Sequence, residues 1–205
     1  EIFDTVIEIS GHRKRFIIKK YWDIPPRKDA ERGAKTAFEN YSLAKKAGLK
    51  VFPTFRMGED RKSILMTTGF LDNQICVGSN NSIGVVNLER PLIEEINNMD
   101  KFLSTIFTEG LKATQKGIIF SQDLFFFILS RNEPTNIDFV LGDLDNLTKI
   151  DSKNIEFFKL KNINNVRLAL IAFCYKNINP SWRENFLSRV EYYYEQAVKD
   201  VDNYI

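Results

Sequence analysis

Two strongly apolar segments in the middle of the chain constrain its fold more than any other feature. Residues 117–129 read GIIFSQDLFFFIL and residues 137–147 read IDFVLGDLDNL, with a polar loop between them. Short apolar runs of this kind are typical of strands in a protein core. Because an unpaired charge is costly to bury, an acid within or just after such a run is expected at the edge of the core. The candidate acids are Asp123, between the two apolar parts of the first segment, and Asp143 and Asp145, which follow the apolar run IDFVL.

The composition narrows the class of protein. Of the 205 residues, 43% are hydrophobic and 27% are charged, which excludes a disordered chain, a collagen-like chain and a repeat array. The formal net charge of +2 does not favour a general nucleic-acid binder. No apolar run approaches the roughly 18 residues that a membrane-spanning helix needs, so we expect no such helix. The first residues lack the basic region of a signal peptide. Since the chain does not begin with Met, whether residues precede Glu1 is left open.

The few cysteines and the single histidine exclude further kinds of site. Cys76 and Cys174 are far apart in the sequence and cannot form a disulfide framework, which fits a reducing, cytoplasmic compartment. With His12 as its one histidine, the chain cannot build a zinc site from several His and Cys ligands. A Ser-His-Asp triad, which would have to use His12, is not expected.

The patterns of the first third predict the order β-β-α-β-β. TVIEIS and RFIIKKYW form a hairpin around the turn GHRK, and Pro25 and Pro26 end its second strand. Residues 27–47 have helical composition, and Gly48 is a plausible end of that helix. VFPTFRMG and KSILMTTGF are two short strands joined by the charged turn GEDRK.

The rest of the chain is expected to be mainly helical. Helices are predicted within residues 91–117 and over residues 162–178 and 182–205. The prediction is therefore an α+β fold with a small antiparallel-sheet lobe at residues 1–68 and a helical lobe at residues 69–205. The boundary lies near Thr67 to Leu71.

Two residues of the first third join the three acids as candidates for chemistry. Lys19 lies in the strand FIIKKYW, where an inward-pointing lysine would need a partner and could bind phosphate. Glu39, in the middle of the predicted helix, could hold that ammonium group in place. Each candidate has an ordinary alternative: a solvated lysine on an edge strand, a solvated glutamate, an aspartate that caps a turn, and solvated acids where a strand ends.

In chain order these candidates are a strand lysine, a helix glutamate, a loop aspartate and an aspartate after a strand. This order resembles the protein-kinase-like superfamily, and most closely its bacterial small-molecule kinase and lipopolysaccharide kinase branches. The resemblance spans about Thr5 to Phe173. FIIKKYW resembles the strand of the ATP-binding lysine, and AKTAFENYSLAKKAGLKVFPTF resembles the αC helix and its exit. ILMTTGF, GIIFSQDLFFFIL, VLGDLDNL and KNINNVRLALIAF resemble the approach to the hinge, the catalytic loop, the metal-binding motif and the helix that follows in lipopolysaccharide kinases.

The resemblance implies ATP and Mg²⁺ as cofactors and a role for each matching residue. Lys19 would neutralise the α- and β-phosphates and Glu39 would hold it. Asp123 would orient the attacking hydroxyl group and accept its proton, and Asp143 would ligate Mg²⁺. The adenine pocket would be lined by Met66, Thr67 and Thr68.

Three departures from the kinase pattern bear on activity. No glycine-rich phosphate loop is visible, so it is either absent or precedes the first residues. Ser121 stands near the place of the usual catalytic-loop histidine. Five residues after Asp123, where an asparagine normally binds the second metal ion, stands Ile128, which cannot ligate Mg²⁺. Asp145 or Asn146 could compensate.

The expected function is transfer of phosphate from ATP to the hydroxyl group of a small molecule, a sugar or a lipid-linked sugar. A small acceptor is expected because little sequence follows GDLDNL for docking a protein substrate. A lipid-linked acceptor would leave peripheral membrane contact open. The alternatives are a pseudokinase that binds a nucleotide or a protein as a regulatory module, and an unrelated α+β interaction domain.

Overall fold

The first part of the chain folds into a four-stranded sheet with one helix. The computed structural model describes residues 2–9, 12–23, 29–67, 74–78, 92–130 and 134–204, and for residues 2–9 and 12–15 it describes the backbone alone. The elements in order are β1 (Ile2–Ile9), β2 (His12–Lys20), α1 (Ala30–Lys46), β3 (Thr54–Met57) and β4 (Ser63–Thr67). The strand order is β1-β2-β4-β3, and every pairing is antiparallel. The predicted order β-β-α-β-β is confirmed.

Two smaller sheets lie further along the chain. One has the order β5-β7-β8 and contains β5 (Gln74–Gly78), β7 (Phe125–Ser130) and β8 (Ile137–Leu141). The other pairs β6 (Ile118–Ile119) with β9 (Thr148–Lys149). All these pairings are antiparallel. Strand β5 is not predicted by the sequence patterns.

Helices make up most of the remaining described chain. They are α2 (Met99–Gln115), α3 (Ile155–Phe158), α4 (Lys161–Asn177) and α5 (Pro180–Tyr204), of which α2, α4 and α5 pack against one another. None of the helices in the described ranges has the combined length and apolar character that crossing a bilayer requires. The fold therefore mixes α and β structure with small antiparallel sheets, as the α+β prediction expected.

The β7–β8 hairpin forms the centre of the core. The side chains from Phe125 to Leu129 along β7 are all buried, in keeping with the apolar run of the sequence. In the antiparallel register Phe125 pairs with Leu141, so β7 begins where β8 ends. Because of this register, the acids that precede β7 and follow β8 lie at the same end of the hairpin.

The segment between α1 and β3 packs along the edge of β8. The backbone N–H of Leu141 donates to the carbonyl oxygen of Lys50 over 2.8 Å, and Val51 forms a parallel bridge with Leu141. The Glu109 carboxylate of α2 accepts a hydrogen bond from the backbone N–H of Lys50. The connection that leaves α1 is thus fixed to the same strand that leads to Asp143.

Gly142, which joins β8 to Asp143, has no room for a side chain. A Cβ atom there would lie 2.3 Å from Cε2 of Phe52 and 2.7 Å from ring atoms of Phe126. Both rings are fully buried, so neither can move aside without disturbing the core.

We predict that Gly142→Ala lowers the free energy of unfolding by about 3 kcal/mol, as overpacking of a core does. Gly48→Ala is the matched control, because Gly48 has a φ of +74° and nothing within 4 Å of the added Cβ. It should lose about 1 kcal/mol through the left-handed backbone alone. Urea unfolding measures both, and equal losses would contradict the clash at Gly142.

Candidate functional site

The ammonium group of Lys19 lies between two carboxylates at the end of the β7–β8 hairpin. Its Nζ atom is 2.5 Å from Oδ1 of Asp143 and 2.7 Å from Oδ2 of Asp145. The side chains of Lys19 and Asp143 are 14% and 17% exposed, so this ion pair is largely removed from water. Strand β2 of the four-stranded sheet is thereby joined to the loop that follows β8 of the three-stranded sheet.

Tyr21 completes this group, and we call Lys19, Tyr21, Asp143 and Asp145 the Lys19 cluster. The hydroxyl group of Tyr21 donates to Oδ1 of Asp145 over 2.6 Å. The Lys19 ammonium also lies 5.0 Å from the centre of the Tyr21 ring, within the range of a cation–π contact. The two carboxylate oxygens of Asp145 therefore have different partners.

Helix α1 fixes the backbone of the loop that carries Asp145. The side-chain amide of Asn40 donates to the carbonyl oxygen of Leu144 over 2.7 Å and to that of Leu147 over 3.2 Å. Leu144 is the first residue of the 3₁₀ turn Leu144–Asn146, and Leu147 follows it directly. The position of Asp145 therefore depends on α1 as well as on β8.

Asp123 reaches the same end of the hairpin from the turn that precedes β7. This turn is the 3₁₀ segment Gln122–Leu124, and the backbone N–H of Gly142 donates to the carbonyl oxygen of Leu124 over 3.0 Å. Ser121 donates a hydrogen bond from its hydroxyl group to the Asp123 carboxylate. Burial is the main cause of the raised pKa of Asp143, and the Asp123 charge adds a smaller contribution.

The charges of the Lys19 cluster are coupled. Burial lowers the pKa of Lys19, but Asp143 and Asp145 outweigh this effect and raise that pKa above its usual value. Burial raises the pKa of Asp143, and the opposing effect of Lys19 does not cancel it. Burial is the main cause, and the Asp145 charge the second, of a raised pKa of Tyr21, which keeps the phenol protonated as a hydrogen-bond donor. At neutral pH Lys19 is the cation that balances this acidic group.

The predicted partnership between Lys19 and Glu39 is not present. The Glu39 side chain is 64% exposed and lies 3.9 Å from Lys35, one turn back on α1. Lys19 is instead held by Asp143 and Asp145. Successive residues of a helix point about 100° apart, and it is the neighbouring Asn40 that faces the loop after β8.

The predicted adenine-pocket residues are only partly described. Met66 is a core residue of β4, 1% exposed, and pairs across the sheet with Ile17 and Phe55. Thr67 is half-buried at the end of β4. Thr68 lies outside the described residues. Ile128, at the position of the missing asparagine, is a buried residue within β7.

Tyr21 and Asn40 belong to the candidate site, although the sequence patterns do not single them out. A strand period of two places Tyr21 on the same face as Lys19, which is a signal available from the sequence. For Asn40 the sequence offers only its position next to Glu39, and either residue could have faced the site.

The donor set of the site suits a hard divalent cation. Asp143 and Asp145 present carboxylate oxygens around a position now held by an ammonium group. Within the described ranges no group of three or more His, Cys, Asp or Glu side chains is arranged to hold a metal ion by itself. Mg²⁺ commonly uses one or two carboxylates and takes its other ligands from phosphate and water, so two carboxylates fit that ion.

Comparison with known proteins adds no relative. No protein-family model matches the chain, and no curated protein matches it. The geometry of the site therefore has to carry the functional assignment.

We predict that Lys19→Ala makes stability depend on pH. Without the cation, the pKa of Asp143 rises further above its unfolded value of about 4, so the folded state takes up a proton as the pH falls. The variant should lose about 2 kcal/mol of unfolding free energy at pH 8 and less at pH 5.

Urea unfolding at the two pH values measures this effect. Lys35→Ala is the control, because the Lys35–Glu39 pair is exposed and should contribute little at either pH. A Lys19→Ala loss that is the same at pH 5 and pH 8 would contradict the coupling.

Proposed function

We propose that the chain is an ATP- and Mg²⁺-dependent phosphotransferase of the protein-kinase-like fold, acting on a hydroxyl group of a small molecule, a sugar or a lipid-linked sugar. The observation that carries this proposal is the Lys19 ammonium between the carboxylates of Asp143 and Asp145. A largely buried cation between two acids that lie more than a hundred residues away in the sequence is a costly arrangement. If an anion and a metal ion bound together, Lys19 would contact the anion and the two carboxylates would contact the metal ion.

The order and placement of the elements support the kinase-like fold. The lysine strand β2, the helix α1 and the strands β3 and β4 are followed by α2, the turn of Asp123 and the β7–β8 hairpin. Asp123 precedes one strand of that hairpin and Asp143 follows the other, as the resemblance implies for a catalytic-loop acid and a metal ligand. The two-lobed division at residues 1–68 and 69–205 belongs to the same proposal.

Each side chain has a role in this proposal. Lys19 would move from the carboxylates to the α- and β-phosphates of ATP and neutralise them. Asp143, with Asp145 in place of the missing asparagine, would ligate the metal ion. Bound Mg²⁺ would supply positive charge next to the β- and γ-phosphates. Positioning and charge stabilisation of this kind account for most of the catalysis in phosphoryl transfer.

Asp123 is the residue proposed to act on the acceptor. Its carboxylate is half-buried, and it accepts a hydrogen bond from Ser121, which restricts its orientation. In this role it would orient the hydroxyl group of the acceptor and accept its proton.

A pseudokinase is the second candidate, and two observations favour it. Ile128 is buried within β7 and presents no ligand atom to a metal ion. Glu39 does not hold Lys19. Such a protein could bind a nucleotide through Lys19 and transfer no phosphate.

We predict that ATP with Mg²⁺ raises the melting temperature by about 5 °C at saturating ligand, whereas ATP with EDTA does not. Lys19→Ala and Asp143→Ala should each abolish the rise, because one removes the phosphate contact and the other the metal ligand. Asp138→Ala is the control, since Asp138 lies at the other end of β8 and pairs with Lys50.

The alternative outcomes separate the candidates. A shift that needs no metal and is lost only with Lys19→Ala would support the pseudokinase. No shift with any nucleotide would contradict the phosphotransferase and a nucleotide-binding pseudokinase, and would leave a module that binds a protein partner.

We further predict that Asp123→Asn keeps ATP affinity within about twofold but lowers ADP formation, with water or a simple sugar as acceptor, by about 100-fold or more. The reason is that the amide cannot accept the proton of the acceptor. Asp138→Asn, the same change in an exposed aspartate at the other end of the hairpin, should leave the rate unchanged. An unchanged rate for Asp123→Asn would remove Asp123 from the mechanism.

A further inference from the structure

We propose that Tyr21 is a positioning residue for the metal site: its hydroxyl group holds one oxygen of Asp145 so that the other oxygen is free to ligate Mg²⁺ when Lys19 leaves it. The inference rests on the proposed phosphotransferase function. Tyr21 lies in the segment FIIKKYW, but the resemblance to kinases gives it no role.

The two oxygens of Asp145 are already separated by their partners. Oδ1 accepts from the Tyr21 hydroxyl group over 2.6 Å, and Oδ2 accepts from the Lys19 ammonium over 2.7 Å. The Tyr21 contact is neutral and does not compete with phosphate. The Lys19 contact is the one that an incoming phosphate group would draw away.

Tyr21 itself has little freedom to move. Its backbone N–H donates to the carbonyl oxygen of Lys62 over 2.8 Å, which continues the pairing beyond the end of β2. Its ring lies against Gly33 of α1, where a Cβ atom would be 2.8 Å from Cδ1 of the ring. The glycine therefore provides the space that the ring needs, although glycine weakens a helix interior.

Backbone and side chain of Asp145 are thus held by different elements. Asn40 fixes the carbonyl groups of Leu144 and Leu147 on either side of it. Tyr21 fixes its carboxylate through Oδ1. When Lys19 moves to phosphate, the contact to Oδ1 persists and Oδ2 becomes available in a defined direction, as outer contacts of metal ligands generally ensure.

The test compares ATP affinity in excess Mg²⁺ with ATP affinity in EDTA, both measured by calorimetry on the full chain. The ratio of the two affinities is the metal enhancement. In Tyr21→Phe the ring remains but the hydroxyl group is lost, and we expect the enhancement to fall about tenfold. Affinity in EDTA should stay the same, because Lys19 is intact.

Two further variants test whether Tyr21→Phe acts through the metal site or through a general loss of stability. Gly33→Ala keeps the hydroxyl group but displaces the ring, and it should lower the enhancement although alanine favours the helix. Tyr41→Phe removes another phenol hydroxyl group, which donates to the carbonyl oxygen of Phe52 over 3.1 Å away from the Lys19 cluster. It should lower thermal stability and leave the enhancement unchanged.

The outcomes separate the role of Tyr21 from the proposed phosphotransferase function. Wild-type protein with no metal enhancement would overturn both the phosphotransferase and the role of Tyr21. Wild-type enhancement that Tyr21→Phe retains would overturn the role of Tyr21 alone. A Tyr21→Phe variant that loses the same factor in Mg²⁺ and in EDTA would also overturn it, because the residue would then act on the nucleotide or on the fold.

Discussion

The two-sided burial of the β7–β8 hairpin is the constraint on which the rest of the structure depends. A strand made of Phe125, Phe126, Phe127, Ile128 and Leu129 can be accommodated only inside a core, and the core can hold no unpaired charge there. The acids of this region are therefore displaced to the strand ends. Since the hairpin is antiparallel, its beginning and its end coincide, and Asp123 and Asp143 meet at one edge.

The acids at that edge could not stay close together without a cation. Lys19 supplies it from a different sheet, and two hydrogen bonds of 2.5 and 2.7 Å compensate for the loss of water around the charges. Removing Lys19 alone is costly, but apolar residues in place of the whole ion group would often be as stable. An ion group kept where apolar residues could stand is a candidate for a binding site.

Much of this fold could be predicted from the sequence, because apolar periodicity and turn residues determine it locally. Helix α1 and the two closing helices lie where the patterns place them. The β1–β2 hairpin does so except at its turn, because His12, Arg13 and Lys14, predicted within the turn GHRK, pair with β1 as part of β2. Strand β5 could not be predicted, because its five residues show no clear alternation of apolar and polar side chains and form a strand by pairing with β7. Tertiary pairing of this kind leaves no local signal.

The site could be predicted in part for the same reason. Lys19, Asp143 and Asp145 were identifiable because a charge beside a buried strand needs a partner, and the structure brings these three together. Glu39 does not reach Lys19, because the buried face of α1, which includes Ala37, Tyr41 and Ala44, leaves Glu39 exposed. The neighbouring Asn40 therefore faces the site.

The attachment of α1 has a mechanical consequence. Through Asn40 the helix grips both sides of the turn that carries Asp145, and through Lys50 the segment that follows it is bonded to the last residue of β8. The helix and the acidic turn are thus connected at two points. A tilt of α1 would therefore also displace the turn and the Asp145 carboxylate that it carries.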